Sequence, residues 1–160
     1  MYQWSKIRDK LENEYLADAL KGRIQYFVTA YRQSHDGDKG RAAILLDGKQ
    51  IISGSTFEQW LKPDLNGYYR TFPDSIAVDS ADLTNSWFDQ YDFYISFAAF
   101  DNQSIEASLS SQNQLIRILA ILDRRVGKRT LCRLKETIET EPEIFRRFFA
   151  IRMEAEGLDV

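Results

Sequence analysis

The sequence predicts an α+β fold: an N-terminal helix, an antiparallel meander or hairpin sheet, and a helical C-terminal half. Three observations carry this. Apolar residues recur at helical spacing over 4–20 and again after about residue 86. They alternate over 23–33, as a half-buried strand requires. An Asp47-Gly48 step sits between two apolar runs, and both residue types tolerate the positive φ of a tight hairpin. With 160 residues, 44% of them apolar, the chain can bury one substantial core without a staple. The expected organisation is therefore a single domain over 1–160, with a sheet-containing half to about residue 85 and a helical half beyond it.

Each element has its own signal. Trp4, Ile7, Leu11 and Tyr15 recur at spacings of 3, 4 and 4, with Ser5 as a candidate N-cap and Gly22 as a stop after Leu20. Ile24, Tyr26, Val28 and Ala30 share one face of a strand. His35, Asp36, Gly37, Asp38 and Gly40 read as a turn-rich loop. Residues 41–46 and 50–53 flank Asp47-Gly48-Lys49 as hairpin strands. Residues 55–85 carry mixed signals and receive no assignment. Phe88, Tyr91, Ile95 and Ala99 predict the next helix, and Ser104 and Ser111 are candidate caps for the two after it. Thr140 and Glu143 bracket a proline in the pattern of a capping box, and Gly157 should end the last helix.

Composition removes several function classes. One cysteine, Cys132, rules out an intrachain disulfide framework and a cysteine zinc cluster. One histidine, His35, rules out any mechanism needing two. There is no glycine-rich phosphate loop, no dinucleotide fingerprint and no nucleophile elbow. No catalytic residue, cofactor or metal is expected. Cys132 is expected to be a buried, inert thiol, with a reactive one among basic neighbours as the alternative. The start lacks a secretory pattern, and the longest strongly apolar stretches are far too short to span a bilayer, so a cytoplasmic protein is the expectation.

Charge is the unusual feature. The formal net charge is −3, yet residues 71–116 carry seven acids and no base. Residues 117–135 carry seven bases against Asp123. Such segregation is either neutralised inside the fold or offered to a partner. If one helix runs from Leu115 through Gly127, then Leu115, Leu119, Leu122 and Val126 form its core stripe. Arg117, Arg124, Lys128 and Lys135 then share a line on the opposite side. Asp123 would flank the apolar side and pair with a nearby arginine.

A pattern of short motifs runs along most of the chain. It comprises Trp4-Ser5-Lys6-Ile7, Leu20-Lys21-Gly22-Arg23-Ile24, Tyr31-Arg32, Leu46-Asp47-Gly48-Lys49 and Tyr91-Asp92-Phe93-Tyr94. The run from Leu122 to Arg129 and the run from Arg152 to Gly157 complete it. Together they resemble a family of small, uncharacterised bacterial proteins of about this length. The resemblance implies a bacterial source and supplies no activity or site residue.

Two functional expectations remain. The first is a non-enzymatic protein-binding module, specifically an immunity-type protein that neutralises a bacterial toxin by occlusion. Asp79, Asp82, Asp89 and Asp92 would meet a basic partner surface. The alternative is an RNA- or DNA-binding accessory protein using Arg117, Arg124, Arg125, Lys128 and Arg129. Tyr68, Tyr69 and Phe72 are candidate recognition aromatics, with covering the sheet as the alternative role.

Overall fold

Among the described residues, the N-terminal half holds a three-stranded antiparallel sheet in the order β1-β2-β3: β1 Ile24–Ala30, β2 Gly40–Leu46 and β3 Lys49–Ser55. The computed structural model describes residues 3–30, 40–55 and 90–160. His35, Tyr68, Tyr69, Phe72, Asp79, Asp82 and Asp89 lie outside the described residues.

The β2–β3 connection is the two-residue turn the sequence announces. Asp47 and Gly48 both take positive φ, 51° and 82°, and Leu46 pairs with Lys49 across them. Two left-handed residues give the turn a twist that matches the strands, which is why this dipeptide fixes the register. Gly40 pairs with Ala30 at the other end of β2. A Cβ there would lie 2.3 Å from the Thr29 carbonyl and 2.7 Å from the Gln90 side chain, so only glycine fits. One face of the sheet turns inward through Ile24, Tyr26, Val28, Ala42, Ile44 and Ile52.

The first helix is shorter than its periodicity suggests. Helix α1 spans Trp4–Asp9 and widens into a π turn over Lys10–Tyr15, closed by the Leu16 N–H on the Leu11 carbonyl at 3.0 Å. A single 3₁₀ turn follows at Asp18–Leu20. Gln3, not Ser5, occupies the N-cap position. Ile7 and Leu11 are buried as the spacing requires. The helix stops because the backbone at Leu16 turns extended and forms a bridge with Asp123.

Among the described residues, the C-terminal half holds five α-helices, α2 Gln90–Asp101, α3 Ile105–Leu109, α4 Gln114–Ile121, α5 Lys128–Lys135 and α6 Glu143–Ala155, with a 3₁₀ turn at Ile138–Thr140. Helix α2 packs on β1, β2 and α4, and α4 packs in turn on α3 and α6. Every residue from Leu115 to Ile121 is buried, so α4 is the central helix of this half. One cluster of buried side chains runs from Ile7 to Met153 and includes both the sheet face and the helices.

Three expectations are corrected here. Helix α2 has the predicted period but a different phase. Phe93, Phe97 and Phe100 are buried, while Tyr91, Ile95 and Ala99 are partly exposed. The helix is apolar nearly all round, so the larger aromatic rings take the core. Ser104 caps α3 by accepting the Ala107 N–H at 3.1 Å, but the cap of α4 is Asn113 rather than Ser111. The Asn113 carboxamide oxygen accepts the Leu115 N–H at 2.8 Å, and its nitrogen donates to Ser96 on α2 at 2.9 Å. The capping box at α6 does not form. Pro142 is the N-cap residue, and the Thr140 hydroxyl donates to the Thr137 carbonyl instead. The far end of α6 is as expected. Gly157 takes φ +70°, and the Gly157 and Leu158 N–H groups bond back to Glu154 and Met153.

Candidate functional site

The basic stretch is not one helix. Helix α4 ends at Ile121, and α5 begins at Lys128 behind Gly127. Leu122 and Val126 still reach the core, so the predicted apolar stripe survives while the predicted basic stripe does not. The intervening turn is held by long-range bonds. The Arg124 N–H donates to the Tyr15 carbonyl at 2.7 Å, and the Ala17 N–H donates to the Leu122 carbonyl at 2.9 Å. A backbone bridged to another segment cannot continue its own i→i−4 ladder.

Arg152 of α6 secures the turn from below. It is only 3% exposed. One guanidinium nitrogen donates to the carbonyls of Ile121 at 2.9 Å and Asp123 at 2.8 Å. The other donates to Val126 at 2.7 Å, and Nε pairs with Glu156 at 2.9 Å. Three of the carbonyls at and after the end of α4 thus share this one side chain as a donor, while that of Leu122 is met by Ala17. Sequence reasoning missed this role. The signal was present: Arg152 falls on the same helix face as Phe145, Phe148 and Phe149, a phase that belongs to the core.

Asp123 is buried, and its side chain has no exposure. It accepts the Arg125 backbone N–H at 2.7 Å and the Arg125 guanidinium at 2.8 Å. That guanidinium also lies over Tyr15 and Phe100, at 5.0 and 5.5 Å from the ring centres. Arg117 is buried too. It donates to Glu141 at 2.7 Å and to the Leu109 carbonyl at 2.9 Å, and stacks 3.9 Å above Phe145. Two of the five candidate anion-binding residues, Arg117 and Arg125, are therefore committed to carboxylates of the fold, the first buried and the second partly exposed.

The other three are not. Arg124, Lys128 and Arg129 are exposed, and none makes an ion pair among the described residues. With Arg133 they form a basic face on the turn and on α5. Cys132 shares α5 and is exposed, which corrects the expected buried thiol. Leu131 is the buried residue of this helix, and Cys132, one position on, is rotated off the core side. On the acidic side, Asp92 is 3% exposed and offers no surface to a partner.

A groove of about 550 Å³ lies beside this face. Leu109, Leu134 and Pro142 give it an apolar lining, and Glu106, Gln114, Arg117, Arg133 and Glu141 a polar one in which the two Glu balance the two Arg. The Gln114 side-chain oxygen is buried and accepts no hydrogen bond among the described residues.

A second polar cluster ties α1 to α2. Asp101 accepts Lys10 at 2.8 Å and the Tyr15 hydroxyl through a short bond. Burial pushes the Asp101 carboxyl up, but the hydrogen bonds from Lys10 and Tyr15 outweigh it and hold it below its ordinary value. Burial and the bond to Asp101 raise the Tyr15 hydroxyl. A depressed carboxyl contributes stability above its unfolded value and loses it as pH falls through the folded one. Asp101→Asn should therefore flatten the acid limb of the stability curve, read by urea unfolding from about pH 5 to about pH 2. An unchanged limb would mean that other carboxylates set it.

Among the described residues, no group of three or more His, Cys, Asp or Glu side chains is placed to hold a metal ion. No helix among them is long and apolar enough to cross a membrane. A family model, that of the SF0329 protein family, matches residues 3–153. No curated protein and no solved structure matches the chain.

Proposed function

From the premise that the chain belongs to the SF0329 protein family, whose description names no activity, we propose that it is a non-catalytic protein-binding module. It acts by covering an acidic surface of its partner, in the manner of a protein that neutralises a bacterial toxin. One observation carries this: Arg124, Lys128 and Arg129 face outward without an ion-pair partner among the described residues. The nearby Asp123, Arg117 and Arg152 are all held by internal bonds. Exposed cations without an internal partner suit an acidic surface, and Arg124 and Lys128 line one shallow hollow.

A nucleic-acid partner is supported less well. Among the described residues, the large exposed hydrophobics are Phe27 on the sheet and Val160 at the terminus, so no aromatic platform for bases adjoins the basic face.

The test is capture from source cells, with nuclease, using the full chain and its Arg124→Glu/Lys128→Glu/Arg129→Glu variant. The variant should fold as the parent does, because these side chains hold nothing in place. A stoichiometric, nuclease-resistant protein should bind the parent, and its affinity for the variant should fall by about a hundredfold, since like charges then face each other. A partner that ignores the variant defeats the proposal. So does one that nuclease removes.

A further inference from the structure

We propose that the shallow hollow at the start of α5 receives one carboxylate, from an Asp or Glu side chain of the protein partner; this rests on the binding-module reading above. The hollow, of about 240 Å³, is lined by Arg124, Gly127 and Lys128, by Arg152 and Glu156 from the end of α6, and by Asp18. Charge selects the occupant. Both acids of the lining already have a cation: Glu156 accepts Arg152 Nε at 2.9 Å, and Asp18 lies 3.1 Å from Lys21 Nζ. Arg124 and Lys128 are exposed and have no ion pair among the described residues. The hollow is therefore left with two positive charges to spare, and a carboxylate with its short stem is complementary to them.

Hydrogen-bond donors point to the same occupant. Gly127 is the N-cap residue of α5 and supplies no side-chain cap, and the first turn holds no acid. Neither conformation nor space demands glycine there. Its φ is −84°, and a Cβ would meet no atom within 4 Å. An Asp or Ser at 127 would fit and would accept the first N–H groups of the helix. Glycine leaves them open beside the hollow, on exposed residues. Lys128 and Arg129 also stand at the end of the helix dipole that disfavours cations, and an incoming carboxylate offsets both. Arg152 adds a donor from a position only 3% exposed. Its five N–H groups make four bonds, so one remains without an acceptor among the described residues. A carboxylate is negative and accepts through both oxygens, so one group answers the spare cations and the open donors together.

The probe is a hexaglutamate peptide titrated into the ¹⁵N-labelled full chain, with backbone amide shifts as the readout. The amides of residues 127–130 should move most and saturate together. Gly127→Asp gives the helix a carboxylate of its own, so the variant should melt no lower than the parent while the peptide Kd rises about tenfold. Cys132→Asp is the control for net charge, because it places the same charge on an exposed position of α5 outside the hollow. It should raise the Kd less than about threefold. Gly127→Asn, which caps the N–H groups without charge, replaces Gly127→Asp should the latter not fold. Still amides at 127–130, equal weakening by Gly127→Asp and Cys132→Asp, or unchanged binding to Gly127→Asp overturns the proposal. The captured partner separates the two levels. If it is lost with the charge-reversed face but kept with Gly127→Asp, the hollow proposal fails and the binding-module reading stands. If it is kept by both variants, the reading itself fails.

Discussion

Arg152→Met should cost about 3–5 kcal/mol of folding stability, more than any other single substitution at a polar position described above. Methionine preserves much of the side-chain volume and stays compatible with the buried face that position 152 shares with Phe148 and Phe149. What it removes is donors. The carbonyls of Ile121, Asp123 and Val126 lose their guanidinium, and Glu156 loses its cation. At 3% exposure the site admits little water to replace them, so the Ile121 and Val126 carbonyls carry a desolvation cost that had been offset, while the Asp123 carbonyl keeps the Val126 N–H at 3.1 Å. Arg152→Lys should recover part of the loss, because one ammonium can reach some but not all of three divergent acceptors. The measurement is urea unfolding, with a lower midpoint at unchanged slope. A loss under about 1 kcal/mol would show that the turn is held mainly by its backbone bonds to Tyr15 and Ala17 and by Asp123.

Where local chemistry decided the structure, the sequence was legible. Asp47-Gly48 placed the hairpin because two residues suited to positive φ leave one economical turn between two apolar runs. Gly157 with Leu158 placed the end of α6 for the same kind of reason. Where a distant segment decided, the sequence was not legible. Residues 115–126 keep an apolar line that reads as one helix, yet the chain breaks at Leu122 because the Arg124 N–H bonds to the Tyr15 carbonyl. Tyr15 lies at the other end of the chain, and no pattern within 115–129 reports it. Helix α2 shows a third case. Its surface is apolar nearly all round, so the spacing fits more than one phase, and the structure buries Phe93, Phe97 and Phe100.

The candidate site divides in the same way. Arg124, Lys128 and Arg129 were legible as a cluster of charge, because unpaired surface cations need only their own spacing. Arg117 was not separable from them by sequence, since its burial depends on Glu141 and on the ring of Phe145. The hollow that Arg124 and Lys128 line with Arg152 and Glu156 was not legible either, because it joins the start of α5 to the end of α6.

Arg125→Ala should destabilise the chain by about 3 kcal/mol, and more than Asp123→Asn does, although the two residues form a single pair. The asymmetry follows from exposure. The Arg125 side chain is 38% exposed, while that of Asp123 is fully buried. Deprived of Asp123, the guanidinium turns to water and keeps its place over Tyr15 and Phe100. Deprived of Arg125, the Asp123 carboxylate stays inside with the residue 125 backbone N–H as its remaining donor from this pair. Asparagine at 123 still accepts that N–H and leaves no charge behind. In the Asp123→Asn background, Arg125→Ala should therefore cost only the ring contacts, about 1 kcal/mol. A double-mutant cycle by urea unfolding should then return a coupling of about 2 kcal/mol. A cycle that closes near zero would mean that Arg125 acts through the rings and not through the buried carboxylate. The same cycle bears on binding, because Arg124 and Lys128 project from the turn that Asp123 and Arg152 hold closed. Arg125→Ala, which removes a cation outside the proposed contact, should weaken partner binding in proportion to the loosening of that turn. The Asp123→Asn chain, with its turn bonds kept, should bind as the parent does.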